Sequence, residues 1–416
     1  MKAIIVGGGI GGLTTALMLH ARGIDCEIFE QSEAVRELGV GINTLPHAIK
    51  ELAALGLLDR LDQVAVRTYE LFYTNRFGQE IWSEPRGTDA GFDYPQFSIH
   101  RGRLQSVIYQ AARARLGESK IFTGHCLGSF KQDESGVTAY FFDRNGAHSK
   151  TAQGDILIGA DGIHSFVRAQ LFPNEEAPRF TGTVLWRGAL DWPKFLTGRS
   201  MVIAGGMAGK LVLYPIAEGS REDRCLMNWA VMVKVGEGGG TPKKEDWSRP
   251  GRFEDLMPHV QRFDIPYCNA KALIEATPEF WEYPLCDRDP LPRWSHGRIT
   301  LLGDAAHPMY PVGSNGASQA ILDARCLADR LCDADNPYHA LHAYEQERLP
   351  PTTQIVLMNR KGGPEGVIDA VEERAPEGFT NIDDVLPYEH RKAIVRGYAS
   401  TAGFAREQVN KAGRAA

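Results

Sequence analysis

Gly7, Gly9 and Gly12 stand in the spacing G-x-G-x-x-G, and a carboxylate, Glu30, follows 23 residues after the first of them. In such a set the first glycine makes a tight turn, the second admits a pyrophosphate and the third packs a helix on a strand. An acid about 20 residues further on can hold a ribose hydroxyl. A second turn, GADG at 159–162, carries Asp161 and Gly162. A third stretch, GDAAHPMYP at 303–311, places Asp304 at the end of an apolar run and stiffens the loop after it with Pro308 and Pro311. Gly313 and Gly316 then permit close backbone approach to a flat ligand. A helix starting near Asn315 would aim free N–H groups into the same loop, which suits an anion. HExxH, GxSxG and P-loop patterns are absent, and the twelve histidines lack metal-ligand spacing. No nucleophile–base pair stands out. The residues point to a bound dinucleotide.

Taken singly, each of these stretches is an ordinary turn; the elements around them raise the signal. Apolar runs at 2–7 and 25–29 read as buried parallel strands flanking a helix over 13–22, the context a dinucleotide fingerprint needs. Residues 299–302 read as another buried strand. Helical spacing begins at 317 and runs on to Pro350-Pro351, where it should stop before resuming over 352–360. Helices are also predicted over 44–57 and 100–116, and a hairpin over 69–82 with its turn at 75–78. Gly41 and Ile42 belong to a glycine-bearing stretch that starts at Gly39. In the first turn of the 100–116 helix, Arg103 reads as a phosphate partner and Arg101 as a solvated helix end.

Between 180 and 235 the pattern changes to strands without helices, over 182–190, 200–204, 210–216 and 225–233. This sheet could floor a pocket for a planar apolar ligand. Trp186, Arg187 and Tyr214 on it, with His47 and Pro311, are the pocket candidates. Residues 237–251 read as a linker, and 256–276 as a helix interrupted at Pro266. Beyond Gly362 the tail shows helical stretches over 367–374 and 388–398 but no motif. Covering the pocket, meeting a second subunit and fraying are all open to it.

Length and composition set bounds. The chain has 416 residues, 43% hydrophobic and 24% charged, which is ordinary for a globular protein with room for two domains. A net charge of -6 and the lack of a dense Lys/Arg run argue against a nucleic-acid surface. No apolar run approaches the ~20 residues of a membrane span. Seven scattered cysteines with no CxxC pair suit free thiols in a reducing cytoplasm. No metal site is expected.

In order, GGGIGG with Glu30, GADG and GDAAHPMYP resemble the single-component, FAD-dependent aromatic hydroxylases typified by para-hydroxybenzoate and salicylate hydroxylases. The likeness runs from residue 1 to about residue 360. WSEPRG (82–87), YPQFSIHRGRLQ (94–105) and DRDPLPRWSHGRITLLGDAAH (287–307) look closest to the phenazine-carboxylate hydroxylase branch. The resemblance implies an α/β fold with a Rossmann-like FAD-binding domain from 1–70, 100–180 and 285–360. An antiparallel β-sheet substrate domain from 71–99 and 181–284 would be inserted in it, and 361–416 would form a C-terminal helical tail. Gly7, Gly9, Gly12 and Glu30 would hold the ADP half of FAD, Arg103 would approach the pyrophosphate, and Asp304 the ribityl or pyrophosphate region. Pro311, Gly313, Asn315 and Gly316 would line the flavin ring, with Gly41 and Ile42 on its other side. The Asp161-Gly162 turn would serve FAD and nicotinamide together.

The reaction so implied uses NADH or NADPH and O2 to hydroxylate an aromatic or heteroaromatic substrate through a flavin hydroperoxide. Where the ring carries a carboxylate, hydroxylation at that carbon could expel CO2, and Arg187 or His47 would attract the carboxylate. A halogenase lacks support because WxWxIP is missing. A Baeyer–Villiger or epoxidising monooxygenase and a non-catalytic binding protein on the same fold are the alternatives. A homodimer is an open expectation.

Overall fold

The computed structural model describes residues 1–34, 40–238 and 249–411. Gly39 and most of the 237–251 linker lie outside the described residues. Five strands form a parallel sheet in the order Ile299–Leu301, Ile156–Gly159, Lys2–Val6, Asp25–Glu30 and Ile121–Thr123. Their side chains are buried on both faces, as a sheet covered on both sides requires: Ile4, Ile5, Ile156 and Ile299 are all inaccessible to solvent. The N-terminal strand is the central one, so its carboxyl end lies where ligands collect in doubly wound sheets. Helix Ile10–His20 follows it at once, and Gly316–Asp333 packs against that helix.

The second large sheet has seven strands, in the order Phe280–Asp287, Arg179–Pro193, Arg224–Lys234, Gly209–Glu218, Ser200–Ala204, Glu70–Thr74 and Glu80–Pro85. All neighbours are antiparallel except Ser200–Ala204 with Glu70–Thr74. The last two strands are the predicted hairpin. Successive side chains alternate between faces, and both faces are packed. Val202, Leu211, Leu213 and Trp229 share a core with the residues of helices Phe253–Val260 and Ala270–Glu275. Met201, Ile203, Val212 and Tyr214 share another with Val367, Ile368, Val371 and Val395 of the C-terminal helices. The tail is therefore a layer of the fold.

Two helix boundaries differ from the sequence expectation. The long helical run is divided at Ala334, and a new helix, Pro337–Asn359, starts with the Asn336 side chain accepting from the Tyr338 N–H at 2.9 Å. Asparagine before proline is a helix-start signal. That second helix then passes through Pro350-Pro351 without stopping. Two donors are lost there, but the segment is pinned on both sides. The Tyr344 hydroxyl donates to Leu301 O at 3.1 Å, Arg348 pairs with Asp323, and Ile355 and Val356 are buried. Tertiary packing outweighs the local penalty.

Asp323, with no solvent exposure, joins three elements. It accepts from His307 Nε2 at 2.5 Å, from the Gly303 N–H at 3.1 Å and from Arg348 Nε at 2.8 Å. Burial pushes its carboxyl upward, but His307 and Arg348 outweigh that and hold it below the usual carboxylate range. Asp323→Asn keeps the shape and strands the Arg348 charge. It should lower unfolding free energy by about 3 to 5 kcal/mol, read from the urea midpoint; a loss within about 0.5 kcal/mol would mean that the ion pair is not holding these elements together.

Candidate active site

The glycine turn divides into residues that the fold itself requires and one that it does not. Gly7 has φ +109°, and a Cβ there would lie 2.3 Å from Ala160 O. A Cβ on Gly12 would lie 2.0 Å from Gly7 O. Both must be glycine for the strands and helix to meet. Gly9 has φ -74° and nothing within 4 Å of its would-be Cβ. The protein alone supplies no reason for glycine there, which is the pattern a close-approaching ligand produces. Glu30 stands beside this turn, accepting from the Gly8 N–H at 2.7 Å and the Ser32 N–H at 2.8 Å. Gln105, one helical turn after Arg101 in helix Arg101–Leu116, donates to Gly8 O at 2.8 Å and ties that helix to the turn.

Asp304 lies at the carboxyl end of its strand, in a short turn opened by Gly303 at φ +61°. Its side chain is exposed and makes no hydrogen bond among the described residues, yet surrounding protein pushes its carboxyl above the usual range. An accessible but poorly solvated carboxylate belongs in a deep cleft. Arg101 senses it: burial first, and then Arg187, lower the Arg101 guanidinium, while Asp304 partly restores it. Arg187 in turn sits over the Tyr283 ring, 4.8 Å from its centroid. Burial raises the phenols of Tyr283 and Tyr214, and the nearby Arg187 opposes this in both. Gly41 closes the group. Its N–H donates to Asn228 Oδ1 at 2.7 Å, and a Cβ would collide with the Tyr214 ring at 2.6 Å. Ile42, next in the strand Gly41–Thr44, is partly buried.

Asp304, Arg101 and Arg187 thus neighbour one another beside Tyr283 and Tyr214 of the large sheet, and Gln105 ties the helix of Arg101 to the glycine turn. Arg101, expected to be a solvated helix end, lies within this group. Helix periodicity puts Arg101 and Gln105 on one face, a signal present in the sequence but masked by the ordinary look of an HRGR start. Arg103 is half-buried and forms no ion pair or side-chain hydrogen bond among the described residues. Asn228 had no sequence signal, because only the approach of Gly41 gives it a role.

Two pocket candidates need correction. Trp186 faces away from Arg187. It lies in the core beneath the 253–260 helix, with Nε1 donating to Glu282 at 2.9 Å and its ring stacked on His259. Adjacent residues of one strand cannot share a face. His47 is buried and stacked on Phe404 at 5.7 Å. Burial, and secondarily Arg348, hold its pKa at about 3. It is neutral near pH 7 and cannot attract a carboxylate by charge, whereas Arg187 can. The Asp161 carboxylate is engaged by its own chain, accepting from Ser165 Oγ at 2.5 Å and the Phe166 N–H at 2.7 Å at the start of helix Phe166–Leu171. Gly162, at φ +78°, has open space around it.

Pro311, Gly313, Asn315 and Gly316 form the loop that leads into helix Gly316–Asp333. Gly316 is nearly unobstructed, whereas Gly313, at φ +64°, lies against Tyr398. Asn315 is fully buried and donates to Gly313 O at 3.0 Å.

His47 carries a pH signature. An unfolded histidine binds a proton near pH 6.5, but folded His47 does not until about pH 3. Between these values the unfolded state holds the extra proton, so stability falls as pH falls. From pH 6 to 4 the protein should lose about 1.4 kcal/mol per pH unit more than His47→Phe does. Urea unfolding at stepped pH would show this, and parallel slopes would mean that the folded imidazole accepts protons freely.

The FAD binding domain family profile matches residues 1–237 and 285–358. Phenazine 1,6-dicarboxylic acid hydroxylase PhzS of Lysobacter antibioticus is 43% identical over 362 residues, covering 86% of this chain and 88% of that protein. 3-Hydroxybenzoate 6-hydroxylase of Klebsiella oxytoca is 32% identical over 372 residues, covering 87% and 88%. A single-residue variant of Klebsiella pneumoniae HpxO, solved in complex with FAD, superposes with a TM-score of 0.75 at 25% identity, covering 97% of this chain and 98% of that one. With a cleft whose glycines and carboxylates fit a dinucleotide, the chain belongs to the FAD-binding-domain family and is a flavoprotein monooxygenase.

Proposed function

We propose that this enzyme hydroxylates a carboxylated aromatic or heteroaromatic ring, with phenazine carboxylates as the leading class, and that Arg101 and Arg187 receive the substrate's carboxylate. The observation that carries this reading is the pair of guanidiniums, close enough for one to depress the other, between Asp304 and the Tyr214–Tyr283 face of the sheet. Two cations in a poorly solvated cleft repel each other, and an anion between them relieves the repulsion. Tyr214 and Tyr283 offer flat apolar surface for the ring. The relatives that act on a phenazine dicarboxylate and on 3-hydroxybenzoate support the same substrate class.

In this reading Gly7, Gly9 and Gly12 accept the pyrophosphate against the helix N-terminus, Glu30 takes a ribose hydroxyl, and Asp304 and Arg103 reach the ribityl and phosphate region. Pro311, Gly313, Asn315 and Gly316 face the flavin ring from one side, with Gly41 and Ile42 on the other. Bound FAD, reduced by NADH or NADPH, supplies the activation of O2. The protein's part is to orient the ring and to keep water out. The parallel sheet and its helices serve as the FAD-binding domain, built from 1–70, 100–180 and 285–360. The large sheet serves as the substrate domain, from 71–99 and 181–284, with 361–416 as tail. Strand membership of the two sheets supports that division, although Phe97–His100 pairs with Gly41–Thr44 and Ala65–Arg67. Seven free cysteines support a reducing, cytoplasmic setting, and no helix among the described residues is long and apolar enough to cross a membrane.

Gly9→Glu should give a folded protein that purifies without the flavin absorption bands, since the side chain fits the open space but occupies the cofactor's path; Asp304→Ala should likewise be flavin-poor. Full FAD content in both variants would overturn the cofactor contacts. The substrate assignment is tested by NADH and NADPH oxidation with a panel of phenazine and benzene carboxylates. Arg187→Gln should raise KM for a carboxylated substrate by about tenfold to a hundredfold, the weight of a charged hydrogen bond, and leave a non-carboxylated analogue nearly unchanged. Equal effects on both would remove Arg187 from carboxylate recognition.

A further inference from the structure

We propose that Tyr398 is a positioning residue, whose hydroxyl sets the conformation of the 310–316 loop and thereby couples NAD(P)H oxidation to ring hydroxylation. The inference rests on the proposed function, in which this loop faces the flavin.

The loop cannot hold its own shape. Gly313 and Ser314 are consecutive residues with positive φ, +64° and +57°, and serine is not at ease there. Packing holds it only in part: Tyr310 and Val312 are buried in the core under the tail, but two small cavities adjoin the loop. One is lined by Gly313 with Tyr73, Arg86 and Pro364, the other by Pro311 and Val312 with Met207 and Met232. What remains is hydrogen bonding. Asn359 Nδ2 donates to Tyr310 O at 3.1 Å, and the Gly313 N–H donates to Glu365 Oε1 at 3.1 Å. Asn315 Nδ2 donates to the Tyr398 hydroxyl at 3.0 Å, which donates in turn to Asn359 Oδ1 at 2.7 Å. Glu365 is itself anchored by the buried Lys210. Asn315, Asn359 and Tyr398 have no solvent exposure, so water cannot replace a lost partner.

Gln319 Nε2 also donates to Asn315 Oδ1 at 3.1 Å, but the other tethers come from residues 359, 365 and 398, beyond the end of the family profile. The end of helix Pro337–Asn359 and the tail after it thus share in fixing where this loop sits. Tyr398 is the junction, because its one hydroxyl serves both Asn315 and Asn359. A loop freed of this anchor would shift the wall of the reaction site while the glycine turn, Glu30 and Asp304 stay in place to hold FAD. Oxygen transfer to the ring would then fail more often. In such a turnover NAD(P)H, a proton and O2 give NAD(P)⁺ and H2O2: two electrons and two protons leave on oxygen, and the ring is unchanged.

The test uses FAD-loaded Tyr398→Phe and phenazine-1,6-dicarboxylate, or whichever aromatic carboxylate stimulates the wild type most. Expected are an unchanged FAD content, a shifted flavin absorption band, and H2O2 released per NAD(P)H raised by about fivefold, the weight of one hydrogen bond. A variant with lowered Tm but wild-type coupling and spectrum would be merely destabilised, and the proposal would fall. Should Tyr398→Phe not fold, Asn359→Leu, of similar volume, removes the acceptor of the Tyr398 hydroxyl. It must show the same rise in H2O2, and unchanged coupling overturns the proposal. A wild-type protein that binds no FAD would sink the flavin-facing assignment as well, whereas a flavin-loaded wild type with unaltered variants sinks this inference alone.

Discussion

The buried carboxylate of Asp323 is the constraint on which the site depends. It bonds the Gly303 N–H at the turn after one strand, His307 in the following loop and Arg348 in a distant helix. A charge without solvent contact is tolerable only when its partners are fixed. Those partners are the elements that carry Asp304 outward and lead the loop toward Pro311. The charged hub and the exposed Asp304 stand on either side of Gly303, and their environments drive their carboxyls in opposite directions. One carboxylate secures the structure, and the other is left for a ligand.

The seven-stranded sheet solves a different problem. Its strands are packed on both faces, one against helices and the other against the tail. Polar groups survive on such a sheet only in a cleft or in a satisfied pair. Arg187 with Tyr283, and Asn228 with Gly41, are of this kind. Lys210 with Glu365 is the satisfied pair under the tail. In the proposed reading, charge on this face is concentrated where the substrate lies and beneath the tail.

That segment gives the C-terminal helices their meaning. The tail carries no recognisable motif, yet it buries Val367, Ile368, Val371 and Val395 against the sheet and brings Tyr398 to the loop. Its contribution is geometric, so composition and spacing reveal little of it. In the proposed reading the parallel-sheet domain holds the dinucleotide and the tail steadies one wall beside it.

By itself the sequence determined the parallel sheet, the glycine turn with Glu30, the Asp304 strand end and the hairpin, because these rest on local period, turn chemistry and short spacing. The three motifs in order also carried the family. Tertiary structure alone decided the rest. It turned Trp186 away from Arg187, because a strand shows each face to every second residue, a fact whose sign depends on which face the pocket takes. It buried His47 until its charge was lost, and drew Arg101 from an apparent solvated end into the cleft. It carried one helix through Pro350-Pro351, since the contacts of Tyr344, Arg348 and Ile355 lie far away in sequence. It joined Tyr398 to Asn315 across 83 residues. Burial and long-range partnership set those charges and positions, and neither is written in the neighbours along the chain.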